Sequence, residues 1–155
     1  HLTPIELLNI VLHLASSAVS VAQRTLLRQR IGEKTTVISG MTVQAQMERT
    51  ITCPFLLENR CSIYAVRPLL CRGRNSFDAT PCQAVYADPT QAGQFVLLQE
   101  QMLVSQCLVL GILTALKKIG LPDRCIDLCL ALDVSLRNPD MVERWLQGED
   151  PLLAC

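Results

Sequence analysis

Apolar residues recur at helical spacing along most of the chain. Leu7, Leu8, Ile10, Val11 and Leu14 fall three and four residues apart, the period of one helix face. Thr3-Pro4-Ile5-Glu6 opens that run with a capping Thr, Pro at the first helical position and Glu three residues after the cap. Ser16-Ser17 marks a break. The pattern predicts a second helix from about Ala18 to Arg30, with Val21, Leu26 and Leu27 inward, Arg24, Arg28 and Arg30 outward, and Gly32 as its end. Between Glu33 and Thr52 the pattern weakens. Gly40 punctuates it, Val43 to Arg49 reads as a short helix, and the β-branched run Thr35 to Ile38 has no evident partner strand. A long helix is expected from about Gln91 or Gln94 to Ile119, stopped by Lys117-Lys118 and Gly120. Asp123 is expected to cap the next helix, carrying Ile126, Leu128, Leu130, Leu132 and Leu136. Asn138-Pro139 separates it from a last helix, Met141 to Leu146, anchored by Trp145 and closed at Gly148.

Residues 53–90 break this rhythm. They are rich in Pro, Arg, Asn and Asp, have weak periodicity, and close on Asp88-Pro89-Thr90, a turn signal. The expectation is a single all-α domain over residues 1–155: N-terminal helices in 1–52, an irregular cysteine-rich loop segment in 53–90, and C-terminal helices in 91–155. Loops longer than about 12–15 residues inside a compact domain are usually functional or disordered. Something other than a helix face must hold this one.

Composition narrows the picture. Half of the residues are hydrophobic and 18% are charged, enough to build a core and too apolar for disorder. Aromatics are only 4%, so aliphatic side chains do the packing, which suits helices. The formal net charge is +0 without a long basic run, which argues against nucleic acid as a partner. Leu7 to Ala22 is interrupted by polar residues, and Met102 to Leu116 is shorter than the roughly 18–20 residues a membrane span needs. No signal peptide is visible, so the expectation is a cytoplasmic protein without a span. The chain starts at His1 rather than Met, and an N-terminal piece is expected to be missing.

Eight cysteines are many for such a chain. A disulfide framework belongs mainly to small secreted domains, so clustered cysteines here point to metal or redox chemistry. Four of them, Cys53, Cys61, Cys71 and Cys82, lie at gaps of 7, 9 and 10 residues, without the C-x2-C pairs of a zinc ribbon. Each stands beside a turn-former or a charge. Arg60, Arg67, Arg72 and Arg74 face only Glu58 and Asp78 within the segment, a local excess that would offset a metal–thiolate charge and depress the thiol pKa values. The alternative is four unlinked buried thiols. Arg67 and Arg72 are candidates to donate to thiolates or to brace loop carbonyls. Tyr64 would fill the loop core or hydrogen-bond a thiolate.

The segment resembles the second half of the CxxCxxCC cysteine-cluster (YkgJ-like) zinc- or iron-chelating family. The resemblance rests on Cys53-Pro54-Phe55-Leu56, Arg60-Cys61-Ser62-Ile63-Tyr64, Arg67-Pro68-Leu69, Cys71-Arg72, Asn75-Ser76 and Cys82. It extends to Gly120-Leu121-Pro122 and Arg144-Trp145-Leu146-Gln147-Gly148 downstream, and to Leu2-Thr3-Pro4-Ile5-Glu6. It implies a metal site of zinc, iron or an iron–sulfur cluster, with Cys53, Cys61, Cys71 and Cys82 as ligands and Tyr64, Arg67 and Arg72 around them. The family's name-giving cysteine group would fall just before residue 1. The resemblance therefore implies a half-complete ligand set that can lack metal in this truncated chain. The same pattern is similar to that of flagellin lysine methylases, which makes an enzyme or an enzyme accessory the alternative. Those proteins are larger, and no separate donor-binding segment is seen here. A third reading is a helical subunit or assembly factor that docks on a protein partner through the long apolar helix.

The remaining candidates read as structural. Cys125 and Cys129, four apart on an expected helix, share a face whose neighbours Ile126, Leu128 and Leu132 assign them to the core. Cys107 also reads as core, His13 as a packing residue, His1 as a frayed end and Cys155 as a free terminal thiol. No catalytic Ser-His-Asp pattern, acidic pair or Gly-rich phosphate loop is present.

Overall fold

The structure is a computed structural model. It describes residues 1–47, 49, 51–88, 90, 97–153 and 155, with the side chains of Val43 and Met47 left aside. The described residues form eight α-helices, a short 3-10 turn and one two-stranded ribbon: α1 (Pro4–Ala15), α2 (Val21–Ile38), α3 (Val43–Met47), β1 (Leu56–Leu57), β2 (Arg60–Cys61), the 3-10 turn Tyr64–Val66, α4 (Leu69–Gly73), α5 (Ala79–Ala87), α6 (Gln99–Lys118), α7 (Leu128–Arg137) and α8 (Met141–Leu146). The expected all-α architecture is therefore present.

The core lies between α1, α2, α7 and α8. α1 contributes Leu7, Ile10 and Leu14, α2 contributes Leu27 and Ile31, α7 contributes Ala131 and Leu132, and α8 contributes Met141. Each large aliphatic side chain buried this way stabilises the fold by about 1.5–3 kcal/mol. Phe55 and Ile63 of the cysteine-rich segment enter the same core. α1 starts as its sequence requires: the Thr3 side chain accepts from the Glu6 amide, and the Glu6 carboxylate accepts from the Thr3 amide at 2.8 Å. Leu2 forms a reciprocal backbone bridge with Ile126, which ties the chain start to the strand-like approach to α7.

Four expectations change. α2 runs straight through Gly32 to Ile38, so the β-branched run is helical. Ser20 and Gln23 form a capping box at its start, and no atom crowds the open Cα of Gly32. Thr35 then reaches the Cys129 carbonyl at 3.3 Å and fixes α2 against α7. The helix expected from Asp123 begins instead at Leu128. Asp127 is its cap, accepting from the amides of Cys129 and Leu130 at 2.8 and 3.0 Å, while residues 121–127 stay irregular apart from the bridge at Ile126. The long helix starts at Gln99; residues 91–96 of its expected span lie outside the described residues. The segment 53–90 contains more regular structure than its weak periodicity suggests.

α6 packs along α4 at one close point. Gly73 faces Ser105, and a β-carbon on Gly73 would overlap that side chain and press on the Gln101 carbonyl. The remainder of α6 is largely open, with Val109, Leu116 and Ser105 buried. The apolar run 102–116 is short for a membrane span. The 20-residue helix containing it is long and apolar enough for one by length and composition alone.

Candidate functional site

The cysteine-rich segment is built from short devices, each of which sets one thiol. Glu58 and Asn59 take positive φ values of 47° and 61°, a tight two-residue turn that reverses β1 into β2. The ribbon pairs Leu56 with Cys61, so Cys61 is fixed by ladder register. Phe55, 1% exposed, and Ile63, 2% exposed, pin both ends of the ribbon to the core. Cys53 precedes Phe55, and its carbonyl accepts from the Leu56 amide at 3.1 Å.

Cys71 sits on α4, whose first turn is held from a distance. Pro68 cannot cap with its side chain, and the Glu6 carboxylate accepts from the Leu69 amide at 2.6 Å instead. One carboxylate thus closes the starts of both α1 and α4. Arg67 donates to the Cys71 carbonyl and lies over the Tyr64 ring, 5.7 Å from its centroid. Arg72 donates to the carbonyls of Arg67, Tyr64 and Ala65 at 2.8, 3.2 and 3.0 Å. Both arginines therefore brace loop carbonyls, one of the two roles expected of them. Tyr64 does not fill the loop core. Its ring is 63% exposed and lies at the cavity rim under Arg67.

Cys53, Cys61 and Cys71 line one cavity of about 630 Å³, together with Phe55, Ile63 and Leu128 of α7. Cys53 is exposed as a residue, but partial desolvation of its thiol pushes it up, and the neighbouring Cys71 and Cys61 add to the rise; the Phe55 amide and Arg30 oppose it. Burial also pushes Cys71 up, against the pull of Arg67 and Arg74. Arg67 and Arg74 do pull Cys71 down, as expected of them, but desolvation outweighs their charge and the net shift is upward. Among the described residues, no three His, Cys, Asp or Glu side chains stand close enough to hold a metal ion as they are arranged.

Cys82 lies outside this cavity. It sits on α5, half-buried, with its Sγ 3.7 Å from the Asp78 carbonyl oxygen. Asp78 caps α5 through the Thr80 amide, which holds its carboxyl below the usual range. Tyr86, one turn after Cys82 on α5, contacts the Thr52 hydroxyl at 2.7 Å, beside Cys53.

A residue assigned to the core by its pattern belongs near the site. Cys129 is pushed up to about 12 by burial, then by Asp127 and by Cys53, so it lies within electrostatic reach of the cavity thiols. Its spacing from Cys125 concealed this, because the two do not share a helix: α7 begins after Cys125. Cys125 and Cys107 are exposed rather than core. Glu6 was legible as a capping residue, while its second bond, to Leu69 across 63 positions, had no local signal.

No curated protein and no solved structure matches the chain. Residues 18–95, the span that carries Cys53, Cys61, Cys71 and Cys82, match the family model CxxCxxCC, described as "Putative zinc- or iron-chelating domain". With half of its length matched, and with cysteines of that span gathered on one cavity, the chain belongs to the CxxCxxCC family.

Proposed function

We propose that this protein binds zinc or iron through the thiolates of Cys53, Cys61, Cys71 and Cys82, on a helical scaffold that sets their spacing. The observation that carries the reading is the shared cavity of Cys53, Cys61 and Cys71. Cys82 shares a face of α5 with Tyr86, which already touches Thr52, so a movement of α5 toward Cys53 is what would bring the fourth thiol in. Soft thiolates suit zinc, iron and iron–sulfur clusters alike. Bound there, zinc would add its binding free energy to folding, and iron or a cluster would add redox capacity.

The chain's own contribution is to favour the protonated form of Cys53 and Cys71 until the metal arrives. The cavity thiols Cys53 and Cys71 titrate above the ordinary thiol range, so each must release a proton on binding. Affinity therefore rises with pH. Arg67 and Arg72 hold the carbonyls of the turn that carries Cys71 and leave its Sγ free to ligate.

The test is elemental analysis of protein purified without oxygen. About one zinc or iron per chain is expected, falling in Cys53→Ser, Cys61→Ser, Cys71→Ser and Cys82→Ser and retained in Cys107→Ser. Visible charge-transfer absorption together with acid-labile sulfide would identify a cluster. Trace metal alone in the anaerobic protein, or equal loading of all five variants, would sink the reading.

A further inference from the structure

α6 turns one face to α4 and leaves the opposite face to solvent. Leu103, Cys107, Leu110 and Thr114 recur along that open face at spacings of four, three and four, the seam of a two-helix coiled coil. Leu103 is 60% exposed and Leu110 65%. Continued by the same rule, the seam reaches Glu100 at one end and Lys117 at the other. Between these two residues the helix carries no charge. Neither makes an ion pair among the described residues. Gly111 flanks the seam, and a β-carbon there would meet nothing within 4 Å, so the flank is open to a neighbouring side chain.

We infer that a second copy of this chain covers α6, helix against helix and antiparallel, with the two-fold axis between Leu108 and Val109. The charges at the seam ends select this occupant and this direction. In the antiparallel register Glu100 meets Lys117 of the other copy, twice, while Leu103 meets Thr114 and Cys107 meets Leu110. A parallel pair would set Glu100 against Glu100 and Lys117 against Lys117. A lipid surface would take the apolar stripe and solvate either charge with its headgroups, so the opposite signs at the two ends would have no role there. A two-fold contact of this kind is self-complementary by construction.

Sedimentation velocity over a concentration series, in reductant, tests it on the full chain. A dimer is expected for the native sequence. Leu110→Asp should be monomeric with unchanged helical circular dichroism, because the replaced side chain is solvent-exposed. Glu100→Lys and Lys117→Glu should each raise the dissociation constant roughly tenfold, and the double exchange Glu100→Lys/Lys117→Glu should restore it. A monomeric native chain overturns the inference. So does a dimer indifferent to Leu110→Asp, or one that the double exchange fails to restore. Flotation of a monomeric native chain with phosphatidylcholine vesicles would assign the face to lipid instead. The outcome is independent of metal content, which elemental analysis reads separately.

Discussion

The scaffold of α1, α2, α7 and α8 and the cysteine-rich segment 53–88 are held by different forces. The scaffold is an apolar core of interlocked aliphatic side chains, with side-chain caps at the starts of α1, α2 and α7. The segment sends only Phe55 and Ile63 fully into that core. Otherwise it is tied by side chains reaching backbone: Glu6 to Leu69, Arg67 to Cys71, and Arg72 to the turn before α4. A dispersed apolar core resists single losses by spreading them. A segment pinned at a few points depends on each pin, and it can be rearranged around a metal without disturbing the scaffold.

The largest expected break is Phe55→Ala. It removes the main apolar anchor of the segment and should cost about 3–5 kcal/mol in denaturant unfolding. If the loss matched that of an exposed position instead, the segment would not depend on the core at all. Gly73→Ala comes next. The added methyl forces α4 and α6 apart at Ser105 and should cost about 1–3 kcal/mol, with a drop in thermal midpoint. Glu6→Gln tests the long-range pin. It weakens the caps of α1 and α4 together, by about 1–2 kcal/mol, and amide exchange at Leu69 should quicken more than at Leu132. Equal quickening at both amides would mean that the segment and the scaffold open as one.

The smallest effect at neutral pH belongs to Cys129. Its folded pKa of about 12 lies above the ordinary thiol value of 9.0. The unfolded chain loses this proton first, so the contribution is fully present below about pH 9 and is lost as pH rises toward 12. Alkylation of the native protein at mildly alkaline pH should find Cys129 labelled more slowly than exposed Cys125. Rapid labelling of Cys129 would show that α7 leaves the cavity open.

The parts of the fold that depend on neighbours in sequence were legible there. Thr3, Pro4 and Glu6 specify the start of α1, and Gly120 and Gly148 stop their helices with positive φ. Cys53, Cys61, Cys71 and Cys82 were legible as one segment; the first three line a shared cavity and Cys82 lies outside it. Where two local signals competed, the pattern misled. Asp123 and Asp127 can both cap, and the Leu2–Ile126 bridge holds residue 126 extended, so the later cap is used. Gly32 resembles a stop, but Ile31 and Ile38 bury against other elements and carry the helix through it. The exposure of Cys107 was hidden by its apolar neighbours, because an unpartnered apolar face and a buried one are written with the same residues.

The bond from Glu6 to Leu69 has a consequence for the order of assembly. It joins groups 63 residues apart, and closing so long a loop must follow the local helices rather than precede them. On the ribosome, α1 emerges early with one oxygen of its Glu6 carboxylate held by Thr3 and the other unclaimed until α4 is made. The cysteine pocket is therefore among the last parts to settle, and its thiols pass through synthesis unprotected.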